Sequence, residues 1–203
     1  RTVGVSTGSY ATMNLSFSRE PDNREGVLEN YKRMAQALGV ELESFVLSYQ
    51  EHSNNVKVVS AEDRGKGVLF ERDYRNIDGL ITNEMGITLG ACFADCIPLY
   101  FYDRVNNVIG LAHSGWRGTV KRIGANMTDL MNRHFDSKAK DMVACIGPGI
   151  CADCYQVSMD VYEEFSKSFD KKYMSDIFRE DEKDHFRLSL WRANEIVLEE
   201  AGV

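Results

Sequence analysis

The alternation of apolar and polar segments is clearest in the middle of the chain. Residues 97–102 are rich in strand-forming side chains, residues 103–107 are polar, and residues 108–112 are apolar again. Two apolar runs across a short polar segment predict a β-hairpin. One end of this hairpin carries a thiol and an imidazole, so its register decides whether the two groups can act together.

The register depends on how many polar residues form the loop. If all five do, Tyr102 pairs with Val108, and Cys96 lies opposite Ser114, next to His113. If only the two asparagines form the turn, Cys96 lies about four residues from His113, roughly 13 Å along the strands. The longer loop is preferred, and it predicts that Cys96 and His113 meet at one end of the sheet.

Further apolar patterns predict helices and strands on both sides of the hairpin. The predicted helices span residues 22–38, 120–134, 158–169 and 189–202. The predicted strands span residues 45–49, 56–59, 80–82, 87–91 and 142–146. Residues 170–187 are charged and show no regular pattern. Together the elements predict one α+β domain over residues 1–203, with mixed β-sheets flanked by helices.

Charge and length exclude several classes of partner. The net charge of −7 argues against nucleic-acid binding, which needs a basic surface. No apolar run approaches the roughly 18 residues of a membrane span, so no membrane partner is expected. The five cysteines are an odd number, which argues against a fully paired secreted framework and favours a reducing cytoplasm.

The cysteines occupy different kinds of position. Cys92 and Cys145 lie in or beside apolar strands and are predicted to be core residues. Cys151 and Cys154 form a single C-x-x-C motif, a weak zinc signal without a second pair and without the βαβ context of a redox motif. This pair is predicted to be structural or incidental. Cys96 is the cysteine that the hairpin brings towards a histidine.

The candidate chemistry centres on His52, Cys96 and His113. The chain has four histidines; His134 completes an apolar helix face and His185 lies in a charged run, so neither is assigned a role. Two imidazoles and a thiolate suit Zn²⁺ with one open coordination position, and Cu²⁺ would also bind such a set. The alternatives are a cysteine–histidine nucleophile pair and a simply buried cysteine. Four histidines are too few for the copper sites of a multicopper laccase.

Charged residues flank these positions. Arg117 and the backbone amides that follow it are predicted to begin a helix, which favours an anion; the alternative is a pairing of Arg117 with a nearby carboxylate. Asp95, beside Cys96, is a candidate proton carrier or a turn cap. Asp78 belongs to an Asp-Gly turn signal and is assigned to the turn; the alternative is that it faces the site.

Four short motifs resemble a known bacterial family. They are Gln50-x-His52, Ala94-Asp95-Cys96-x-Pro98, Ala112-His113-x-Gly115-Trp116-Arg117-Gly118 and Ile146-Gly147-Pro148-x-Ile150. In order and spacing they are similar to the laccase-domain proteins. That family was long labelled polyphenol oxidase and is now regarded as zinc-dependent purine nucleoside phosphorylases with adenosine deaminase activity.

The resemblance implies a site and two reactions. It places the metal ligands at His52, Cys96 and His113, and substrate-binding residues at Arg1 and Asn14. It implies phosphorolysis of adenosine, inosine and methylthioadenosine by phosphate, together with deamination of adenosine. It also implies an arrangement of mixed sheets that is shared with a toxin-type cysteine hydrolase.

Two further residues complete the predicted site. Asp95 is the candidate proton shuttle for deamination, and Arg117 is the candidate contact to phosphate near the helix start. Three positions depart from the family: Tyr31 stands where an arginine is common, Glu51 where a small apolar residue is usual, and Ser53 where a glycine is usual. The chain also ends at Val203, before the family's usual tail, so that tail is expected to be absent.

Overall fold

Ten β-strands and six α-helices form the part of the chain that the computed structural model describes, residues 13–17 and 24–203. The strands are β1 (Phe45–Leu47), β2 (Val56–Val58), β3 (Gly79–Thr82), β4 (Thr88–Gly90), β5 (Ile97–Asp103), β6 (Val108–Ser114), β7 (Met142–Ile146), β8 (Gln156–Ser158), β9 (Phe178–Glu180) and β10 (His185–Leu188). The helices are α1 (Arg24–Leu38), α2 (Trp116–Val120), α3 (Ile123–Phe135), α4 (Met159–Ser168), α5 (Met174–Ile177) and α6 (Leu190–Glu200). The predicted domain of mixed β-sheets flanked by helices is confirmed.

The largest sheet has five strands in the order β2-β3-β6-β5-β7. β2 and β3 run parallel, and the other neighbours are antiparallel. β6 is the central strand, with β3 on one side and β5 on the other. Because both neighbours hydrogen-bond to it, the end of β6 that carries His113 is held from two sides.

The β5–β6 hairpin is confirmed, but its predicted register was wrong by one residue. Asp103 pairs with Val108, so the loop has four residues rather than five. Ile97, not Cys96, therefore lies opposite Ser114. Cys96 comes just before the first paired residue of β5, at the same end of the sheet as predicted.

The side chain of Asp103 explains the shorter loop. Its carboxylate accepts hydrogen bonds from the backbone N–H groups of Val105 (2.8 Å) and Asn106 (3.3 Å). An aspartate that bonds to the backbone two residues ahead closes a tight turn. Asp103 thus pairs as a strand residue and also caps the loop that follows it.

The main hydrophobic core lies between the five-stranded sheet and the helices α3 and α6. Its fully buried members include Leu99 on β5, Met127 and Met131 on α3, and Ile196 on α6. Gly110 on β6 allows α3 to approach closely, because a Cβ atom there would lie 2.7 Å from Cε of Met127. This packing fixes the sheet on which the candidate site is built.

One predicted helix is divided in two. Residues 120–134 were expected to form a single helix, but α2 ends at Val120 and α3 begins at Ile123. Arg122 between them has a φ angle of 63°, a left-handed conformation that a right-handed helix cannot contain. His134, predicted to close the apolar face, is instead exposed.

Two smaller sheets complete the fold. β1 and β4 form a parallel pair that packs with α1 around a second apolar cluster, which includes Val27, Tyr31 and Phe45. β8, β10 and β9 form an antiparallel sheet. Two of its strands lie in residues 170–187, where no regular element was predicted. β9 has three residues and β10 has four, and each strand places one side chain in the core, Phe178 and Leu188. An alternation this short does not identify a strand among the charged residues that surround it.

The cysteines are more exposed than predicted. Cys92 and Cys145 were expected in the core, but both are exposed; Cys145 lies on β7, an edge strand of the five-stranded sheet. All five cysteines fall in the described part of the chain, and none of them forms a disulfide. Over the described residues, no helix has the length and apolar character that crossing a membrane requires.

Candidate metal centre

His52, Cys96 and His113 converge at one end of the five-stranded sheet. His113 lies on β6, Cys96 immediately precedes β5, and His52 lies in the loop between β1 and β2. One ligand atom from each residue lies within 4.8 Å of the other two. Sγ of Cys96 is 3.9 Å from Nε2 of His52, and the two imidazole centroids are 4.9 Å apart. The three residues therefore form a cluster that could hold a metal ion.

The spacing and the donor types fit a tetrahedral ion. Around Zn²⁺ with bonds of about 2.0–2.3 Å, ligand atoms are roughly 3.4–3.6 Å apart, slightly closer than in this cluster. Nδ1 of His113 lies 2.9 Å from Oδ1 of Asp78. Because a carboxylate accepts, Nδ1 carries the proton, and Nε2 is the nitrogen left for a metal. Small inward movements of the three side chains would complete the coordination.

Asp78 organises both histidines. Besides the bond with His113, its buried carboxylate accepts hydrogen bonds from the backbone N–H groups of Glu51 (3.1 Å), His52 (3.1 Å) and Ser53 (2.8 Å). The Ser53 hydroxyl donates a further bond of 2.7 Å. His52 has a φ angle of 59°, a conformation uncommon for residues other than glycine. The bonds to Asp78 hold this loop in place.

Burial and these hydrogen bonds shift the pKa values of Asp78 and of the two histidines. Burial opposes the charged form of Asp78, but the hydrogen bonds from His113 and Ser53 outweigh it and lower the pKa of Asp78 to about 2. Burial also opposes charge on His113, yet the bonds with Asp78 and Cys96 raise its pKa to about 9. The pKa of His52 is lowered by burial and by His113. Metal binding must displace a proton from His113.

A glycine-rich segment after β7 supports the Cys96 side of the cluster. The N–H of Ile150 donates to the carbonyl of Asp95 (2.8 Å), and the N–H of Gly147 donates to that of Pro98 (2.8 Å). Gly149 lies so close that a Cβ atom would be 2.9 Å from the Asp95 carbonyl oxygen. Asp95 has a φ angle of 77°. The Asp95–Cys96 turn is therefore held by backbone contacts.

The turn from β6 into α2 forms the wall of the cluster. A Cβ atom on Gly115 would lie 2.8 Å from Sγ of Cys96 and 2.9 Å from Cδ2 of His52, so only glycine fits without displacing them. Behind the turn, the hydroxyl of Ser114 donates to Oδ1 of Asn194 on α6 (2.7 Å). Nδ2 of the same asparagine donates to the Thr119 hydroxyl (3.2 Å). This buried network ties the turn to the core.

Asp95 and Arg117 flank the cluster in the sequence, and the charges of both act on Tyr155. The phenol of Tyr155 is half-buried, and its pKa is raised by burial and by Cys96, while Arg117 lowers it and Asp95 raises it. Arg117 also lowers the pKa of His52. Charges act strongly only over short distances in water, so these side chains share one neighbourhood. Asp95 and Arg117 are exposed there, and their catalytic roles stay predictions.

The two predicted substrate-binding residues have different outcomes. Arg1 lies outside the described residues. Asn14 bonds within its own segment, since Nδ2 donates to the Ser16 carbonyl (3.1 Å) and Oδ1 accepts from the Ser16 N–H (3.0 Å). Its neighbour Leu15 lines a cavity of about 450 Å³ together with Gln50 and Cys92. A substrate contact from Asn14 stays a prediction.

Comparison with known proteins identifies the family. A family model described as multi-copper polyphenol oxidoreductase laccase matches residues 1–203. The chain belongs to this family. The resemblance seen in the sequence motifs is thereby confirmed.

Named relatives and solved structures are similar over nearly the whole chain. The chain is 35% identical over 204 residues to a Bacillus subtilis protein named purine nucleoside phosphorylase YlmD, covering 98% of the chain and 71% of that protein. It is 33% identical to adenosine deaminase RL5 of an unknown prokaryotic organism over 90% of the chain and 69% of that protein. The crystal structure of the hypothetical protein YfiH of Bacillus licheniformis superposes with a TM-score of 0.90 at 32% identity, covering 98% of the chain and 74% of that structure.

The sequence did not reveal the importance of Asp78 and Tyr155. Asp78 precedes a glycine, which is an ordinary turn signal, and its bonds reach residues 25 and 35 positions away in the chain. Tyr155 follows the C-x-x-C motif in a segment without a clear pattern. The one available signal was the isolated aspartate at the start of β3, because strand ends are where functional residues gather.

Proposed function

We propose that this chain is a zinc-dependent enzyme that acts on purine nucleosides. The reactions are phosphorolysis, in which nucleoside and phosphate give free base and sugar-1-phosphate, and deamination, in which adenosine and water give inosine and ammonia. The observation that supports it most is the convergence of His52, Cys96 and His113 within 4.8 Å. The names of the relatives, purine nucleoside phosphorylase and adenosine deaminase, give the substrate class.

The donor set favours zinc. Two imidazoles and one thiolate leave one position open around a tetrahedral Zn²⁺, whereas copper sites built on the same three donors are trigonal and add a weak axial ligand. When bound, the ion supplies Lewis acidity and lowers the pKa of a water molecule towards neutrality. Copper remains the competing metal, and with it the polyphenol oxidation that the family's description names.

Asp95 and Tyr155 are the groups proposed to handle protons in deamination. The Asp95 carboxylate is exposed beside Cys96, so it can accept a proton from the attacking water and return it to the departing amine. Tyr155 can donate a hydrogen bond from its half-buried hydroxyl. Its raised pKa keeps the phenol protonated at neutral pH, as a donor requires.

Arg117 is the proposed contact to phosphate. It is exposed, and its guanidinium carbon lies 4.2 Å from the centroid of the Trp116 ring, a stacking that still allows the N–H groups to donate. A guanidinium binds a phosphate in a bidentate manner. Asn14 and Arg1, on the segment before α1, are the proposed contacts to the nucleoside.

A metal-free cysteine hydrolase is the second candidate. The contact of 3.9 Å between Sγ of Cys96 and Nε2 of His52, with His113 bonded to a buried aspartate, also resembles a nucleophile held between bases. In that case Cys96 would attack an acyl group, and His113 would exchange its proton. Such an enzyme would stay active after complete removal of metal.

Product analysis with and without phosphate tests the proposal. We expect adenine and ribose-1-phosphate from adenosine only when phosphate is present, and inosine with ammonia in both conditions. A chelator should abolish all products, and added Zn²⁺ should restore them. His52→Asn should be inactive, whereas the matched change of an exposed histidine outside the cluster, His134→Asn, should keep full activity.

Each other outcome has a distinct meaning. Activity that survives complete removal of metal would support the hydrolase instead. Oxygen consumption with a catechol by the copper-loaded protein, without nucleoside turnover, would support the oxidase. No product from adenosine in any condition would refute the proposed function.

A further inference from the structure

The C-x-x-C motif forms an exposed turn with a defined shape. Cys151 precedes a single 3₁₀ turn, Ala152–Cys154, and the N–H of Cys154 donates to the carbonyl of Cys151 (3.1 Å). A turn closed by such a bond brings its first and fourth Cα atoms within about 7 Å. A disulfide requires Cα atoms roughly 4.4–6.8 Å apart. The backbone therefore already holds the two cysteines at a spacing that a disulfide can bridge.

Contacts with β9 and β10 fix this turn. The carboxylate of Asp153 pairs with Arg179 (2.8 Å), and its carbonyl accepts from Nη1 of Arg187 (2.9 Å). The carbonyl of Tyr155 accepts from the N–H of Leu188 (3.0 Å). Because β9 and β10 hold the turn from one side, closing a disulfide would need little movement of the backbone.

The two thiols are accessible and unequal. Both side chains are exposed, and each thiol affects the protonation of the other. Their interaction lowers the pKa of Cys151 and raises the pKa of Cys154. The thiolate is the reactive form of cysteine, so Cys151 is the attacking group and Cys154 the resolving group.

We propose that Cys151 and Cys154 form a redox-active dithiol that exchanges with small disulfides of the glutathione type. The thiolate of Cys151 attacks one sulfur of the small disulfide, whose S–S bond breaks to release one small thiolate. Cys154 then loses its proton and attacks the Cys151 sulfur of the mixed disulfide, which releases the second small thiolate. Two cysteine thiols are oxidised by two electrons, and one small disulfide is reduced to two thiols.

This dithiol is separate from the metal centre, although the two are neighbours. Ile150, next to Cys151, donates to the carbonyl of Asp95, next to Cys96. The proposed exchange is measured on the thiols themselves, so it does not depend on the nucleoside activity. Oxidation could affect that activity through this backbone contact or through Tyr155, which follows Cys154 in the chain.

Equilibration in buffers of oxidised and reduced glutathione tests the proposal. After rapid alkylation, mass spectrometry of the peptide that carries both cysteines should show the loss of two hydrogens at the oxidising end of the series. Cys154→Ser should instead accumulate a glutathione adduct on Cys151, because no resolving thiol remains. Cys151→Ser should form an adduct more slowly than Cys154→Ser, because the activated thiolate is missing.

An exposed cysteine elsewhere provides the control. Cys145→Ser removes a thiol from β7 and should leave the disulfide at 151–154 unchanged at every ratio. The proposal is overturned if the wild-type chain collects glutathione adducts on Cys145 and Cys151 alike with no intramolecular disulfide. It is equally overturned if Cys151→Ser and Cys154→Ser form adducts at the same rate.

Discussion

The two histidines of the candidate centre are held in contrasting ways. His113 lies in the central strand, where it pairs with Pro98 and donates its backbone N–H to the carbonyl of Asp78 (2.8 Å). Its side chain is nearly fully buried, with a relative exposure of 5%. His52 lies in a loop with a left-handed backbone and is partly exposed. One ligand is thus part of the sheet, and the other depends on bonds to the loop.

Asp78 joins these two regions. One carboxylate oxygen is shared by the imidazole of His113 and the backbone N–H of His52, and the other receives Ser53. A strand can position a ligand through its backbone hydrogen bonds to the neighbouring strands. A loop lacks these bonds, so a side chain must accept hydrogen bonds from its backbone N–H groups. The comparison shows that the exposed ligand His52 is positioned relative to the buried ligand His113 by one residue, Asp78, which bonds to both.

Removal of Asp78 should therefore have the largest effect. Asp78→Ala leaves a buried imidazole and three backbone N–H groups without their acceptor. We expect the free energy of unfolding of the metal-free protein to fall by about 3–5 kcal/mol, and zinc affinity to fall by about 10–100-fold. Urea denaturation and competition with a chromogenic chelator measure the two changes.

Asp103 is the matched control for this change. It is also a buried aspartate that accepts backbone N–H groups, but it lies at the far end of the hairpin. Asp103→Ala should lower the free energy of unfolding without weakening zinc binding. Equal losses of zinc affinity in both variants would show that Asp78 has no special link to the centre.

Substitutions of the two histidines should affect the free energy of unfolding differently, although both should weaken zinc binding. His113→Ala removes a buried partner of Asp78, so we expect both a loss of about 1–3 kcal/mol in the free energy of unfolding and a loss of zinc. His52→Asn should lose zinc alone, since asparagine tolerates the left-handed backbone and the side chain is partly exposed. A similar destabilisation in both metal-free variants would contradict the contrast between strand and loop.

The same contrast explains what the sequence could reveal. The hairpin and the convergence of Cys96 with His113 follow from apolar runs around a polar segment, which local pattern predicts well. The register was displaced by one residue because Asp103 acts both as a strand residue and as the cap of the loop. A single side chain with two roles has no distinct signature in the alternation of apolar and polar positions.

Contacts between distant segments were harder to predict. His52 was joined to the site by its position at a strand end and by family resemblance, while the aspartate that holds it was assigned to a turn. The strands β9 and β10 were missed because they are short and lie among charged residues. These features depend on tertiary contacts, which local propensity does not encode.

A substitution at Gly115, in the turn from β6 into α2, should have a smaller effect. Gly115 has an extended backbone, with a φ angle of −77°, so Gly115→Ala is allowed conformationally. Its Cβ atom would press on Sγ of Cys96 and on the ring of His52. We expect a loss of zinc affinity of about 10-fold with little change in unfolding by urea.

Gly124 on α3 supplies the control for that substitution. A Cβ atom there would meet only side-chain atoms, of Leu198 and Val197 at 3.3 Å and of Leu99 at 3.5 Å. Gly124→Ala should keep the zinc affinity of the wild type. If Gly115→Ala also binds zinc normally, the close contact does not constrain the ligands, and the loop carrying His52 is more adaptable than its hydrogen bonds indicate.

The smallest expected effect on the fold is at Asp95, an exposed residue next to Cys96. Asp95 has a left-handed backbone, with a φ angle of 77°, which asparagine adopts about as readily. Asp95→Asn should change the free energy of unfolding by less than about 0.5 kcal/mol and leave zinc bound. If Asp95 carries the proton in deamination, kcat for inosine formation should fall by about 100-fold or more.

Asp136→Asn, at another left-handed aspartate after α3, should have no effect. Equal rates for the two variants would remove Asp95 from the chemistry and leave it only the role of shaping the turn that presents Cys96.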